Sequence, residues 1–211
     1  MIRHIFFDLD GTLVDSLATF VKIGNELAVR YGYTPLEDTK VRELLKLPMK
    51  DRIKQLGVPL YRLPKISLEI LSKFHSHASC LLPFEGIREL LLRLKKEGYV
   101  LTIISSNSVP NIKAFLKAND LEVFEDIYSS NNLFGKHKTI KWILSKKNIN
   151  KQEVIYVGDE QRDIEACKRV GIKVIAVTWG FDSLELLKEE GPDYIANKPA
   201  DIEKLLVDLS Y

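Results

Sequence analysis

Two aspartates placed two residues apart, Asp8 and Asp10, directly follow the apolar run Ile5-Phe6-Phe7 and precede Gly11-Thr12. The run reads as a buried strand ended by a glycine turn, so both carboxylates stand at a strand's C-terminal edge. Ligands bind at that edge in an open α/β sheet. Paired carboxylates there point to a metal, a nucleophile or an acid/base pair. An Asp-Gly dipeptide is equally at home in a solvated turn, and taken alone the two readings tie.

Other residues break the tie. Ser105 ends a second apolar run, Val100–Ile104, and Ser106-Asn107-Ser108 follow it. Hydroxyl and amide groups ahead of a helix suit a phosphate, because the first turn leaves its backbone N–H groups free; the same residues also serve as helix caps. Lys136 follows Leu133-Phe134-Gly135 and opens a helical pattern, where a cation would neutralise a phosphoryl group. A third apolar run, Ile155-Tyr156-Val157, ends in Gly158-Asp159-Glu160, with Asp163 close behind. Acids favour a helix N-terminus for electrostatic reasons alone, which covers Asp163 better than it covers Asp159.

The elements that position these residues alternate. Strands are expected at Val100–Ser105, Asp126–Ser129, Val154–Val157, Lys173–Val177 and Asp193–Ile195, with helices at Ile87–Lys96, Asn111–Ala118, His137–Lys147, Asp163–Val170, Ser183–Glu189 and Ile202–Leu209. β-branched runs alternating with amphipathic helices define a doubly wound α/β fold with a parallel sheet. Val14–Leu82 differs: Leu17, Phe20, Ile23 and Leu27 keep helical spacing and no strand run intervenes. It reads as a helical insert broken at Gly32, Pro35, Pro48, Gly57, Pro59 and Pro64, and Pro83 marks the return to the sheet.

Composition narrows the class further. The 31 basic and 29 acidic residues leave a net charge of +2, which gives no argument for nucleic acid or a membrane surface. No apolar run is long enough to span a bilayer and no signal-peptide core is present, so a cytoplasmic location is expected. Cys80 and Cys167 lack a Cys-x-x-Cys partner and read as small buried hydrophobes. His75 and His77, two apart on a helix, face different ways and do not form a shared metal site. Trp179 reads as packing, or less readily as lining a site entrance. From Val14 to Pro83 the chain carries 11 basic and 7 acidic residues, net +4, against −2 for the remainder. Lys46, Lys50 and Lys54 share helical spacing across Pro48, as a solvated face or as contacts to an anionic substrate.

The ordered set Asp8-Leu9-Asp10-Gly11-Thr12, Ser105, Lys136 and Gly158-Asp159 with Asp163 resembles the four motifs of the haloacid dehalogenase superfamily, in its phosphoglycolate-phosphatase-like branch. The resemblance spans the sheet domain. It implies a Rossmann-like core of residues 1–13 and 84–211 and a helical cap of residues 14–83, hinged at Asp15-Ser16. It implies a phosphatase acting on a small soluble phosphate ester, with phosphoglycolate among the candidates. Asp8 would be the nucleophile and Asp10 the general acid and base, and Mg²⁺ would lie on Asp8, Asp159 and the backbone carbonyl of Asp10. Ser105 and Lys136 would hold the phosphoryl oxygens, with Gly11, Thr12, Ser106, Asn107, Glu160 and Asp163 around them. Lys138 is a second candidate for the site lysine, although the position after Gly135 favours Lys136. A β-phosphoglucomutase-like mutase, or a non-catalytic phosphate binder on the same fold, are the alternatives, and a monomer or homodimer is expected.

Overall fold

The computed structural model describes residues 1–130 and 135–209. Six strands, β1 (His4–Phe7), β2 (Val100–Ser105), β3 (Asp126–Ser129), β4 (Val154–Gly158), β5 (Lys173–Val177) and β6 (Tyr194–Ala196), form one sheet in the order β3-β2-β1-β4-β5-β6. All pairings are parallel. Side chains alternate across the sheet, as the strand period of two demands. Ile5, Phe7, Ile155 and Val157 enter one apolar cluster, and Phe6, Val154 and Tyr156 enter the other.

Helices cover both faces. α5 (Ile87–Lys96), α6 (Val109–Ala118) and α10 (Pro199–Asp208) send Leu91, Ile112, Phe115 and Ile202 into the first cluster. α7 (Lys136–Lys146), α8 (Gln161–Val170) and α9 (Leu184–Glu190) send Ile140, Ile143, Ile164 and Leu187 into the second. Each fully buried side chain of this size stabilises the fold by about 1.5–3 kcal/mol, so two apolar layers outweigh the modest helix propensities.

Between β1 and α5 run α1 (Leu17–Tyr31), α2 (Asp38–Leu44), α3 (Met49–Gln55), a 3-10 turn at Leu60–Arg62 and α4 (Leu63–Ala78). The two ends of this stretch meet, because Val14 and Pro83 form an antiparallel bridge. Phe20 of α1 stacks on Phe74 of α4 with ring centroids 4.8 Å apart. No described helix is long and apolar enough to cross a membrane.

Several boundaries differ from the sequence reading, and proline explains most of them. Pro64, Pro110 and Pro199 each lie in the first turn of a helix rather than breaking one, where a missing N–H costs nothing. α6 and α10 therefore begin earlier than expected. β6 starts one residue later than expected because Asp193 turns its carboxylate onto the N–H of Val174 at 2.9 Å. α2 ends at Leu44 and α3 starts at Met49, so Lys46 shares no helix with Lys50 and Lys54. Cys80 is exposed, which corrects its assignment as a buried hydrophobe; Cys167 is buried as expected. Cys80 follows the last turn of α4, outside either apolar layer.

Candidate active site

β1 pairs with β2 on one side and β4 on the other, so the sheet order reverses there and opens a crevice at the strands' carboxyl ends. Phe7 stands opposite Val157, and the residues that follow each strand meet in that crevice. Asp8 is 2 % exposed, and its Oδ1 accepts the N–H of Leu9 at 2.7 Å. Its Oδ2 is ion-paired with Lys136 Nζ, which also contacts Asp163 Oδ1. The ammonium lies over the Tyr156 ring, 5.4 Å from the centroid. Burial opposes the charge on Lys136, but Asp163 and Asp8 outweigh it and push its pKa up. Lys138 is exposed on α7. Two helix positions apart, the two lysines point about 200° from each other, and only Lys136 faces Asp8.

Asp10 has a different environment. Asn107 Nδ2 donates to its Oδ2 at 2.9 Å, while Asp10 Oδ1 and Ser16 Oγ are buried without a hydrogen-bond partner among the described residues. Burial pushes the Asp10 carboxyl up to about 7, against the Asn107 bond and the nearby Ser16 hydroxyl and with help from the Asp8 charge. Ser105, at the end of β2, accepts the N–H of Asn107 on its Oγ at 3.1 Å, and Ser106 is half-buried beside it.

Asp159 is clamped. Its Oδ1 accepts from Thr12 Oγ1 at 2.7 Å and its Oδ2 from the N–H of Phe181 at 2.8 Å. Gly11 has φ +79°, and a Cβ there would lie 2.1 Å from Asp159 Oδ2; one on Gly180 would lie 2.2 Å from Asp159 Cβ and 2.4 Å from the Gly11 carbonyl oxygen. Both positions need glycine for space, and Gly11 for its backbone as well. Trp179 Nε1 donates to the Thr12 carbonyl at 3.0 Å, and the ring packs against the apolar cluster.

Glu160 and Asp163 open α8, where Asp163 Oδ2 accepts the N–H of Glu160 at 3.4 Å. Arg162, which motif reading missed, pairs with the Glu160 carboxylate. Carboxylate oxygens of Asp8, Glu160 and Asp163 all lie within 4.8 Å of one another. Four buried carboxylates, Asp8, Asp159, Glu160 and Asp163, thus face two cations, Lys136 and Arg162. Burial and mutual repulsion push the Asp159 carboxyl well above the usual carboxylate range and Asp163 up to about 7, so the cluster holds its full charge only beside a further cation, and an all-oxygen donor set fits Mg²⁺.

A second buried ion pair joins the insert to the crevice. Arg52 of α3 contacts Asp182, whose Oδ2 accepts the N–H of Gln161 at 2.6 Å. Arg52 also donates to the carbonyls of Leu47 and Leu45, at 2.7 and 3.0 Å. No short-range pattern flags a pair 130 residues apart.

A buried acid pair at the switch point, with Lys136 paired to Asp8, is an arrangement suited to phosphoryl transfer. The chain belongs to the haloacid dehalogenase-like hydrolases, whose family model matches residues 5–177. Within them it is a phosphatase of the phosphoglycolate-phosphatase-like kind. It is 32 % identical over 208 residues to the phosphoglycolate phosphatase of Synechococcus elongatus, covering 98 % of each chain. It is also 32 % identical over 228 residues to the glyceraldehyde 3-phosphate phosphatase of Pyrococcus furiosus, covering 97 % of this chain and 93 % of that one. A solved haloacid dehalogenase-like hydrolase from Streptococcus pneumoniae matches with a TM-score of 0.81 at 26 % identity, over 97 % of this chain and 98 % of that one.

Proposed function

We propose that this phosphatase hydrolyses small phosphate monoesters through an aspartyl-phosphate on Asp8, with Asp10 as general acid and then base, and that it uses Mg²⁺. The observation that carries the reading is the contrast between two carboxyls on one turn. Asp8 is ion-paired with Lys136, whereas Asp10 is raised to about 7 and keeps Oδ1 buried and unpartnered. Two acids in such different environments can divide nucleophile from proton donor.

In the first step an Asp8 oxygen attacks phosphorus, the ester P–O bond breaks, and the leaving oxygen takes the Asp10 proton. In the second, the Asp10 carboxylate takes a proton from water, the water oxygen attacks the same phosphorus, and phosphate leaves with Asp8 restored. Lys136, Ser105 and the N–H groups opening α6 hold the non-bridging oxygens, where charge develops. Asp8, Asp159 and the Asp10 carbonyl would hold the Mg²⁺, which would supply charge neutralisation. Asp163 orients Lys136, Glu160 would act beside the metal site, and Thr12 and Gly11 keep Asp159 in place. Residues 14–83 act as a cap that shields the site and chooses the substrate, while residues 1–13 and 84–211 carry the chemistry. The two relatives are named for phosphoglycolate and glyceraldehyde 3-phosphate, so the substrate class is a short phosphorylated metabolite.

The test is Asp8→Asn and Asp10→Asn assayed on alkyl and activated aryl phosphates with Mg²⁺. Asp8→Asn should abolish turnover of both, and trapped phosphate should map to Asp8 in the wild type. Asp10→Asn should slow alkyl esters far more than aryl ones. Retained turnover in Asp8→Asn, or an absolute need for a bisphosphate activator, overturns the assignment.

A further inference from the structure

Helix α4 of the insert is joined to Asp10 by an unbroken chain of hydrogen bonds. The Asn111 side chain, 1 % exposed on α6, donates through Nδ2 to the Leu71 carbonyl of α4 at 2.9 Å and to Asn107 Oδ1 at 2.9 Å. Its Oδ1 lies 2.8 Å from His75 Nδ1, also on α4. Asn107, 1 % exposed, in turn donates to Asp10 Oδ2 at 2.9 Å.

Chemistry fixes the direction of every link. The Leu71 carbonyl can only accept, so the Asn111 amide must turn its NH₂ that way. That leaves Asn111 Oδ1 toward His75, and the His75 ring must donate from Nδ1. The N–H of Ser108 donates to Asn107 Oδ1 at 2.8 Å, which fixes the second amide with its NH₂ toward Asp10. Asp10 Oδ2 is therefore the oxygen that accepts from Asn107, and Oδ1 is the oxygen that the amide leaves unoccupied.

We propose that Asn111 is a positioning residue: with α4 seated it is locked by Leu71 and His75, locks Asn107, and so holds the Asp10 carboxyl with Oδ1 turned to the leaving oxygen. With α4 lifted, Asn111 loses both insert partners and the orientation of Asp10 relaxes. Seating of the insert and competence of the acid become one event. The inference rests on the reading of Asp10 as the general acid.

The experiment compares kcat/KM for an alkyl phosphate and p-nitrophenyl phosphate in the full-length enzyme with Mg²⁺, because kcat/KM covers the step in which the leaving group departs. Asn111→Ala should lower the alkyl value about tenfold and the aryl value less than about twofold, as expected for one oriented hydrogen bond. His75→Ala, at an exposed position that does not threaten folding, should show the same bias at about two- to threefold. Asp10→Asn calibrates the largest bias. Equal losses on both esters in Asn111→Ala and His75→Ala, with Asp10→Asn still biased, would overturn the coupling and leave the general acid intact. No bias in Asp10→Asn would overturn both.

Discussion

Lys136→Met isolates the charge balance of the site. The variant keeps most of the apolar stem and removes the ammonium together with its contact over the Tyr156 ring. Asp8 and Asp163 then lose their shared cation while Glu160 keeps Arg162, and oxygens of all three carboxylates lie within 4.8 Å of one another. Two like charges at 4.8 Å repel by about 3.5 kcal/mol at an effective dielectric near 20. Proton uptake limits the sum, and removing one partner of a buried ion pair generally costs about 3–5 kcal/mol. For a chain of this size that is a fall in Tm of about 6–20 °C in metal-free buffer. Millimolar Mg²⁺ should raise the Tm of the variant more than that of the wild type, because the emptied cluster attracts a cation more strongly. Turnover should drop by about 10²–10³ from the loss of one phosphoryl-oxygen contact. Thermal melts with chelator and with Mg²⁺ read the first two effects. A metal-free loss below about 1 kcal/mol, or an Mg²⁺ shift no larger than in wild type, would refute the charge argument.

Gly11→Ala forces a Cβ to within 2.1 Å of Asp159 Oδ2 at a positive φ, so it should abolish Mg²⁺-dependent turnover and the Mg²⁺ shift in Tm together; retention of both would remove Asp159 from the metal site. Arg52→Met leaves Asp182 buried without its cation and should cost about 3–5 kcal/mol near neutral pH. Burial already raises the Asp182 carboxyl to about 6, above its unfolded value, so its favourable contribution is complete in acid and is lost as pH rises through about 6. Without Arg52 the Asp182 carboxyl rises further, so the variant goes on losing stability above the pH at which the wild type levels off and the Arg52→Met deficit should grow from pH 4 to pH 8; a constant deficit in urea titrations would contradict the pairing. Lys50 lines a cavity of about 250 Å³ with Lys136, His137, Arg162, Glu165 and Arg169, cations outnumbering the one acid; Lys50→Ala should raise KM for a phosphate ester carrying a second anionic group and leave p-nitrophenyl phosphate unchanged, and parallel losses would exclude that contact.

Local order was legible in the sequence wherever one period dominates. The run Ile5-Phe6-Phe7 had to be a strand because Phe6 feeds one apolar layer while Ile5 and Phe7 feed the other. Its polar successors Asp8 and Asp10 then had to stand at an edge. What stayed hidden is contact across the topology. Asp159 needs glycine at two distant positions, Gly11 and Gly180, and no local pattern ties them. Arg52 and Asp182 meet only because the order of the sheet brings the loop after β5 under α3. Asn111 reads in sequence as one more polar residue in the first turn of a helix; its two insert partners appear only once α4 packs against α6. The lysine ambiguity had a similar origin, because the first residue of α7 decides which of Lys136 and Lys138 points inward, and helix starts follow from tertiary contacts as much as from caps.

The loop from Trp179 to Asp182 explains why the site and the insert respond to each other on the far side from Asn111 as well. Trp179 holds the Thr12 carbonyl, Gly180 admits Asp159, and the N–H of Phe181 fixes Asp159 Oδ2. The Phe181 ring then meets Phe20 of α1 edge-to-face at 6.1 Å, and Asp182 pairs with Arg52 of α3. Four consecutive residues thus touch the Asp8–Thr12 turn, the Asp159 carboxylate and two helices of the insert. A displacement of α1 or α3 reaches Asp159 through one peptide, while a displacement of α4 reaches Asp10 through two amides. The insert therefore bears on both halves of the chemistry, the carboxylate proposed for the metal and the carboxyl proposed for the proton, by separate routes. Substitutions on one route should leave the other working: Arg52→Met should weaken the Mg²⁺ shift in Tm without leaving-group bias, and His75→Ala should do the reverse. A variant on either route that disturbed both readouts equally would mean that the insert acts as a single rigid lid.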